Sequence, residues 1–143
     1  ECAVSTDMIT GFCTETDADH EESLALMEWA EFDFSYMFRY SERPGTKAAR
    51  KLKDDVPEEV KKKRLDEIIA LQNKLSARSK RKDIGRIFEV LIEGFSKRSD
   101  NYLSGRTSQN KVAVFPVKDK KAGEYASVRI EICTSATLLG TIV

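Results

Sequence analysis

The sequence predicts an α+β chain in which a β-α-β unit, a long helix and a small five-stranded antiparallel β-barrel follow one another. Three observations lead there. Residues 4–38 switch from strand-like to helix-like periodicity and back, residues 55–82 carry an uninterrupted helical stripe, and from Asp83 onward apolar residues recur with period two. The expected divisions are therefore 1–54, 55–82 and 83–143.

The first strand is expected over Val4–Thr10, closed by Gly11. Thr16-Asp17-Ala18-Asp19 has the spacing of a helix start, with Thr16 as N-cap and acidic residues where the helix dipole favours them. The helix behind it lines up Leu24, Met27 and Glu31, with Leu26, Trp29 and Ala30 beside them. Phe32–Phe38 alternates aromatic and smaller residues, as a strand does. Strand, helix, strand in that order implies a parallel pair joined by a crossover, as in the last piece of an α/β barrel or a doubly wound sheet. Pro44-Gly45 breaks the chain, and a second helix begins around Asp55–Glu59 with Pro57 in its first turn. Leu65, Ile68, Ile69 and Leu75 share one face of it, flanked by Leu71, and Lys80-Arg81-Lys82 suits its C-terminal end. Strands then follow at Ile87–Phe95, Tyr102–Arg106, Val112–Phe115, Tyr125–Ile132 and Ala136–Ile142, with turns at 97–101, 105–110, 118–123 and Thr134-Ser135. Five short strands in about sixty residues read as a small barrel.

Charge is balanced in total and uneven in place. Residues 1–44 hold two Arg against eleven Asp/Glu, net −9; residues 45–82 are +7 and residues 83–143 are +2. The basic middle block is either a solvated helix or a ridge beside a polyanion. No apolar run is long enough to span a bilayer, so a soluble cytoplasmic protein is expected. The chain opens on Glu1-Cys2-Ala3 and reads as a fragment of a longer protein. Cys2, Cys13 and Cys133 are widely spaced and form no metal motif, so reduced thiols and no metal site are expected.

The most informative stretch is Gly105-Arg106-Thr107-Ser108-Gln109-Asn110-Lys111, a glycine turn followed by cations, hydroxyls and amides that run into the strand Val112–Phe115. Together with Lys97-Arg98 it offers the donors that a phosphate-bearing ligand needs. His20 reads as a surface residue or a local partner of the carboxylates around it, and Cys13 as an inert thiol. The carboxylates of residues 15–33 read as helix-start and surface charges. Tyr36 and Phe38 could stack a base, although alternating aromatics in a strand are usually core.

These residues also resemble a family. Ser5–Phe12 followed by Glu15-Thr16, the run Tyr40–Ala49 around Ser41-Glu42-Arg43-Pro44-Gly45-Thr46, and Asp55–Lys61 are similar to the fifth strand, the sixth-strand exit loop and the linker helix of radical-SAM methylthiotransferases. Glu93–Ser99 and Gly105–Lys111 resemble that family's C-terminal TRAM domain, in its MiaB-type, tRNA-modifying branch. The resemblance implies that residues 1–54 are the end of a radical-SAM (partial TIM) barrel and residues 83–143 an OB-like TRAM barrel. It implies an enzyme using S-adenosylmethionine and two four-iron four-sulfur clusters to add a methylthio group to isopentenyladenosine next to the anticodon. The cluster cysteines are absent from these 143 residues, so the chain by itself is expected to be inactive and to bind neither cofactor stably. Ile9, Gly11, Phe12 and Arg43 would contribute to the S-adenosylmethionine cavity. Of the family's Gly-x-Ile-x-Gly-x-x-Glu pattern Ile9 and Gly11 are kept, with Asp7 and Thr14 at the other two positions. Lys97, Arg98, Arg106, Thr107, Ser108, Asn110 and Lys111 would hold the tRNA anticodon stem-loop, extended by Lys61–Arg64. Two alternatives stay open: a ribosomal protein as the substrate, or a non-catalytic RNA-binding module. Exposed edges of the β-α-β unit would be covered by further domains of the same chain, or by a swapped dimer.

Overall fold

In the computed structural model the described residues are 2–134 and 136–143. They form a mixed α+β protein of two compact units, Val4–Leu75 and Ser76–Val143. Among them no helix is long and apolar enough to cross a membrane.

In the first unit β1 (Ser5–Thr10) and β2 (Phe34–Arg39) pair in parallel, from Ser5↔Phe34 to Thr10↔Arg39. Between them lies α1 (Asp17–Ala30), started as expected by a reciprocal cap. The Asp19 amide donates to the Thr16 hydroxyl at 3.2 Å, and the Thr16 amide to the Asp19 carboxylate at 2.8 Å. The helix ends at Glu31, whose φ of 49° is left-handed. A short α2 (Lys47–Lys51), capped by the Thr46 side chain, and α3 (Glu58–Arg81) follow. The core gathers Met27 of α1 and Ile68 and Leu75 of α3, packed by Met8, Leu24, Phe32, Met37 and Leu71. α3 thus uses residues three and four apart to bury one stripe, which makes its first turns part of this unit.

Leu24 and Met27, which share one line of α1, face inward, while Leu26 and Trp29 lie on its outer side, Trp29 82% exposed. Two expectations change here. The aromatic alternation of β2 does not mark a core: Met37 packs inward, whereas Tyr36 and Phe38 point to solvent. His20 is buried rather than solvated, and its partner is Glu67 of α3, forty-seven residues away, with Nε2 to Oε2 at 2.7 Å. α2 was not foreseen; Thr46 behind Pro44-Gly45 is the cap that could have signalled it.

The second unit holds β3 (Ile87–Ser96), β4 (Ser99–Thr107), β5 (Val112–Pro116), β6 (Tyr125–Cys133) and β7 (Leu138–Ile142). Their pairings close in the order β3-β4-β5-β7-β6, and β6 returns to β3. Four of the five joints are antiparallel; β5 and β7 pair in parallel, which departs from the all-antiparallel expectation. The expected turn at Thr134-Ser135 includes Ser135, which lies outside the described residues. Alternate side chains fill the interior: Phe88, Val90, Ile92, Leu103, Ala113, Phe115, Ala126, Val128, Ile130 and Leu138. Each larger one contributes roughly 1.5–3 kcal/mol by leaving water.

Gly105 is not a turn glycine. It sits within β4, opposite Ile92, on the inward side, where a Cβ would run into the Leu91 carbonyl. The strand continues through Arg106 and Thr107, so the turn is shorter than expected and hinges on Asn110, whose φ is 59°. Glycine at 105 lets β3 and β4 approach closely.

Candidate functional site

Two places collect the chemistry. The first is a cavity of about 460 Å³ at the C-terminal end of the β1–β2 pair, lined by Ile9, Phe12, Phe38, Tyr40, Arg43 and Thr46 among others. Parallel strands splay their C-terminal loops here, so loop side chains converge over the strand ends. Phe12 and Tyr40 meet edge to face, ring centroids 4.9 Å apart. The Cys13 thiol beside the Tyr40 hydroxyl, then burial, push the pKa of that hydroxyl above the usual 10.0. Arg43 is exposed in a loop closed by the Thr46 hydroxyl, which donates to the Arg43 carbonyl at 2.9 Å.

Ile9, Phe12 and Arg43 therefore come together, whereas Gly11 points the other way. Gly11 has a φ of 73°, and a Cβ there would overlap the Lys61 side chain. The Gly11 amide donates to Glu15 Oε2 at 2.8 Å and the Phe12 amide to the same oxygen at 3.3 Å. Glu15 also accepts from the Thr10 hydroxyl and from Arg64, at 3.2 and 2.8 Å. The loop after β1 is thus shaped from behind by a carboxylate that takes up its backbone donors. Lys61, almost fully buried, donates to Asp54 at 2.7 Å and Glu58 at 3.1 Å. Burial alone would lower its pKa, but those two hydrogen bonds and charges outweigh it and hold the ammonium above its ordinary value. Lys61 and Arg64 are accordingly internal struts, and of the 61–64 run only Lys62 and Lys63 belong to the exposed basic face.

The second place lies in the β-unit. Lys97 and Arg98 form the two-residue turn between β3 and β4 and are exposed. Arg106 is fastened from two sides: Nε donates to Glu93 at 3.2 Å and Nη1 to Asn110 Oδ1 at 2.8 Å, leaving the side chain 44% exposed. Thr107 is buried, and its hydroxyl accepts the Lys111 amide at 3.2 Å. Lys111 turns inward: its ammonium donates to Asp83 at 2.6 Å and Ser79 at 3.1 Å. Ser108 and Asn110 face solvent. The loop therefore divides into residues that build it, Thr107 and Lys111, and residues that display donors, Arg106, Ser108 and Asn110.

Cys2 is exposed, Cys13 buried and Cys133 half-buried, all as free thiols. Among the described residues no group of three or more His, Cys, Asp or Glu could hold a metal ion.

Residues 81–143, which hold the closed five-stranded β-unit with its cationic turn and loop, match the TRAM domain family. Over all 143 residues the chain is 57% identical to the tRNA-2-methylthio-N(6)-dimethylallyladenosine synthase of Porphyromonas gingivalis, covering 31% of that protein. It is 57% identical over 142 residues to the synthase of the same name from Amoebophilus asiaticus, covering 29% of it, and 54% identical over 140 residues to that of Bacteroides fragilis, covering 31%. The chain spans about a third of the length of the relatives it matches.

Proposed function

We propose that this chain is the substrate-holding part of a tRNA-modifying methylthiotransferase, one that adds a methylthio group to isopentenyladenosine beside the anticodon. The observation that carries the proposal is 57% identity across all 143 residues to proteins named for that product, together with the TRAM match at 81–143. In this reading residues 1–54 close a radical-SAM barrel, 55–82 link, and 83–143 bind the anticodon stem-loop of a cytoplasmic tRNA. Lys97, Arg98 and Arg106 supply phosphate contacts, Ser108 and Asn110 add polar ones, and Thr107 and Lys111 keep the loop in shape.

The cavity beside Arg43 suits one part of S-adenosylmethionine: aromatic and apolar walls from Ile9, Phe12 and Phe38 for the adenosine, and a guanidinium for the carboxylate. That molecule, once bound, supplies the methyl group and the radical chemistry. Cys2, Cys13 and Cys133 do not fit an iron–sulfur cluster, since among the described residues no three ligands gather, and in this reading both clusters belong to other parts of the parent enzyme.

Fluorescence anisotropy with an anticodon stem-loop and with full-length tRNA, over a salt series, tests the reading. Affinity is expected to fall steeply with salt and to drop when Lys97, Arg98 and Arg106 are all changed to Ala. Absence of binding at low salt would overturn it.

A further inference from the structure

The outer face of the β-unit carries a groove of about 410 Å³ that the basic loop does not include. Its floor is a row of side chains running across three strands: Val114 of β5 pairs with Leu139 of β7, and Leu139 with Ile132 of β6. Tyr102 stands on one wall, 44% exposed, and Ile132 is 60% exposed. An aromatic and an aliphatic side chain left this open over a shaped hollow form a contact surface rather than a core. A register shift between Ile130 and Ile132 brings Glu131 to the groove, where its carboxylate accepts the Thr141 hydroxyl at 2.8 Å.

Two cations flank this floor. Arg98 lines the groove from the β3–β4 turn. Lys118, two residues beyond the lining residue Pro116, donates to the Ile142 carbonyl at 3.0 Å, next to the lining residue Thr141. An apolar floor with one aromatic wall, set between two positive charges, complements a planar apolar body that carries negative charge at its edge. A nucleotide has that build; an aliphatic peptide segment does not.

We infer that this groove takes one unstacked nucleotide of a bound RNA, its base against Tyr102 and its phosphate toward Arg98. The inference rests on the RNA-binding reading above and adds a base-holding subsite to it. Glu131 offers an acceptor to an exocyclic amino group, which favours adenine, cytosine or guanine over uracil.

The test uses the whole chain and two RNA probes: an anticodon stem-loop with 2-aminopurine at loop positions, and a blunt-ended duplex without unpaired nucleotides. Tyr102→Leu is expected to weaken stem-loop binding about tenfold and remove the 2-aminopurine fluorescence change, with the salt slope retained, while Tyr102→Phe binds as the parent does. Arg98→Ala should lower the salt slope by about one. The duplex should bind both Tyr102 variants equally. If the stem-loop binds the parent with steep salt dependence but Tyr102→Leu leaves affinity and fluorescence unchanged, the groove assignment falls and the RNA-binding reading stands. An equal loss for duplex and stem-loop also overturns it, since the change would not concern an unpaired base. If neither probe binds the parent chain, both readings fall together.

Discussion

The ammonium of Lys111 lies 2.6 Å from the carboxylate of Asp83, with 9% and 3% of the two side chains exposed. Each group compensates the other for leaving water; the Ser79 hydroxyl is a further partner of Lys111, and Arg86 lies 3.6 Å from Asp83. Removing Lys111 takes from Asp83 its short partner and leaves the longer contact to Arg86 at 3.6 Å. Lys111→Ala is therefore expected to lower unfolding free energy by about 3 kcal/mol in denaturant titration. Lys111→Met combined with Asp83→Leu should recover most of that loss; equal loss in the single and double variants would show that the pair is not what matters.

A second expectation concerns the loop after β1. Gly11 combines a left-handed backbone with a neighbour that cannot yield, because the stem of Lys61 is held by Asp54 and Glu58. Gly11→Ala should cost roughly 2 kcal/mol or more, read as a fall in thermal midpoint. Adding Lys61→Ala does not rescue it, since Asp54 then loses its partner.

The start of α1 responds to acid. Backbone and then side-chain hydrogen bonds from Thr16 hold the Asp19 carboxyl below its usual 3.8. A depressed folded-state pKa means the contribution is complete above 3.8 and is lost as pH falls through the lower, folded value. Asp17 shifts the same way, through its hydrogen bond to Arg64 and then that residue's charge. Circular dichroism between pH 5 and pH 2, with melting at each pH, should show Asp19→Asn converging on the parent only at the acid end. Parallel curves throughout would rule out this linkage.

The β1–β2 pair has no third strand among the described residues, and Ile9, Tyr36 and Phe38 are 59%, 62% and 55% exposed. A two-stranded sheet with open edges and bare aromatic faces associates readily. Light scattering of the isolated chain should give a mass that rises with concentration toward a dimer, and a constant monomeric mass would count against it.

What could be read from the amino acids follows from how local each signal is. The Thr16 cap and the period-two strands of the β-unit are short-range patterns that stand in the structure as expected; of the helical stripe, Ile68 and Leu75 and the flanking Leu71 reach the core, whereas Leu65 and Ile69 are not part of that cluster. The inward turn of Lys111, the burial of His20 against Glu67 and the role of Gly105 are not local. Each depends on a residue more than ten positions away: Asp83, Glu67 and Leu91. The aromatics of β2 misled because alternation reports two faces without saying which one is covered. The groove was hidden for the same reason, since Tyr102, Val114, Leu139 and Ile132 become neighbours only when β7 inserts between β5 and β6.

The joint between β5 and β7 is the short one in the ring, held at Ala113↔Leu138 and Val114↔Leu139, whereas β4 and β5 pair from Tyr102↔Pro116 to Arg106↔Val112. Local opening follows the weakest joint, so the amides flanking it should exchange with solvent sooner than those of β3 and β4. Val114 and Leu139 belong to opposite sides of that joint and both face the groove. Whatever rests on them touches both lips at once, so its binding would slow exchange across the joint and fasten the ring as a clasp fastens a band.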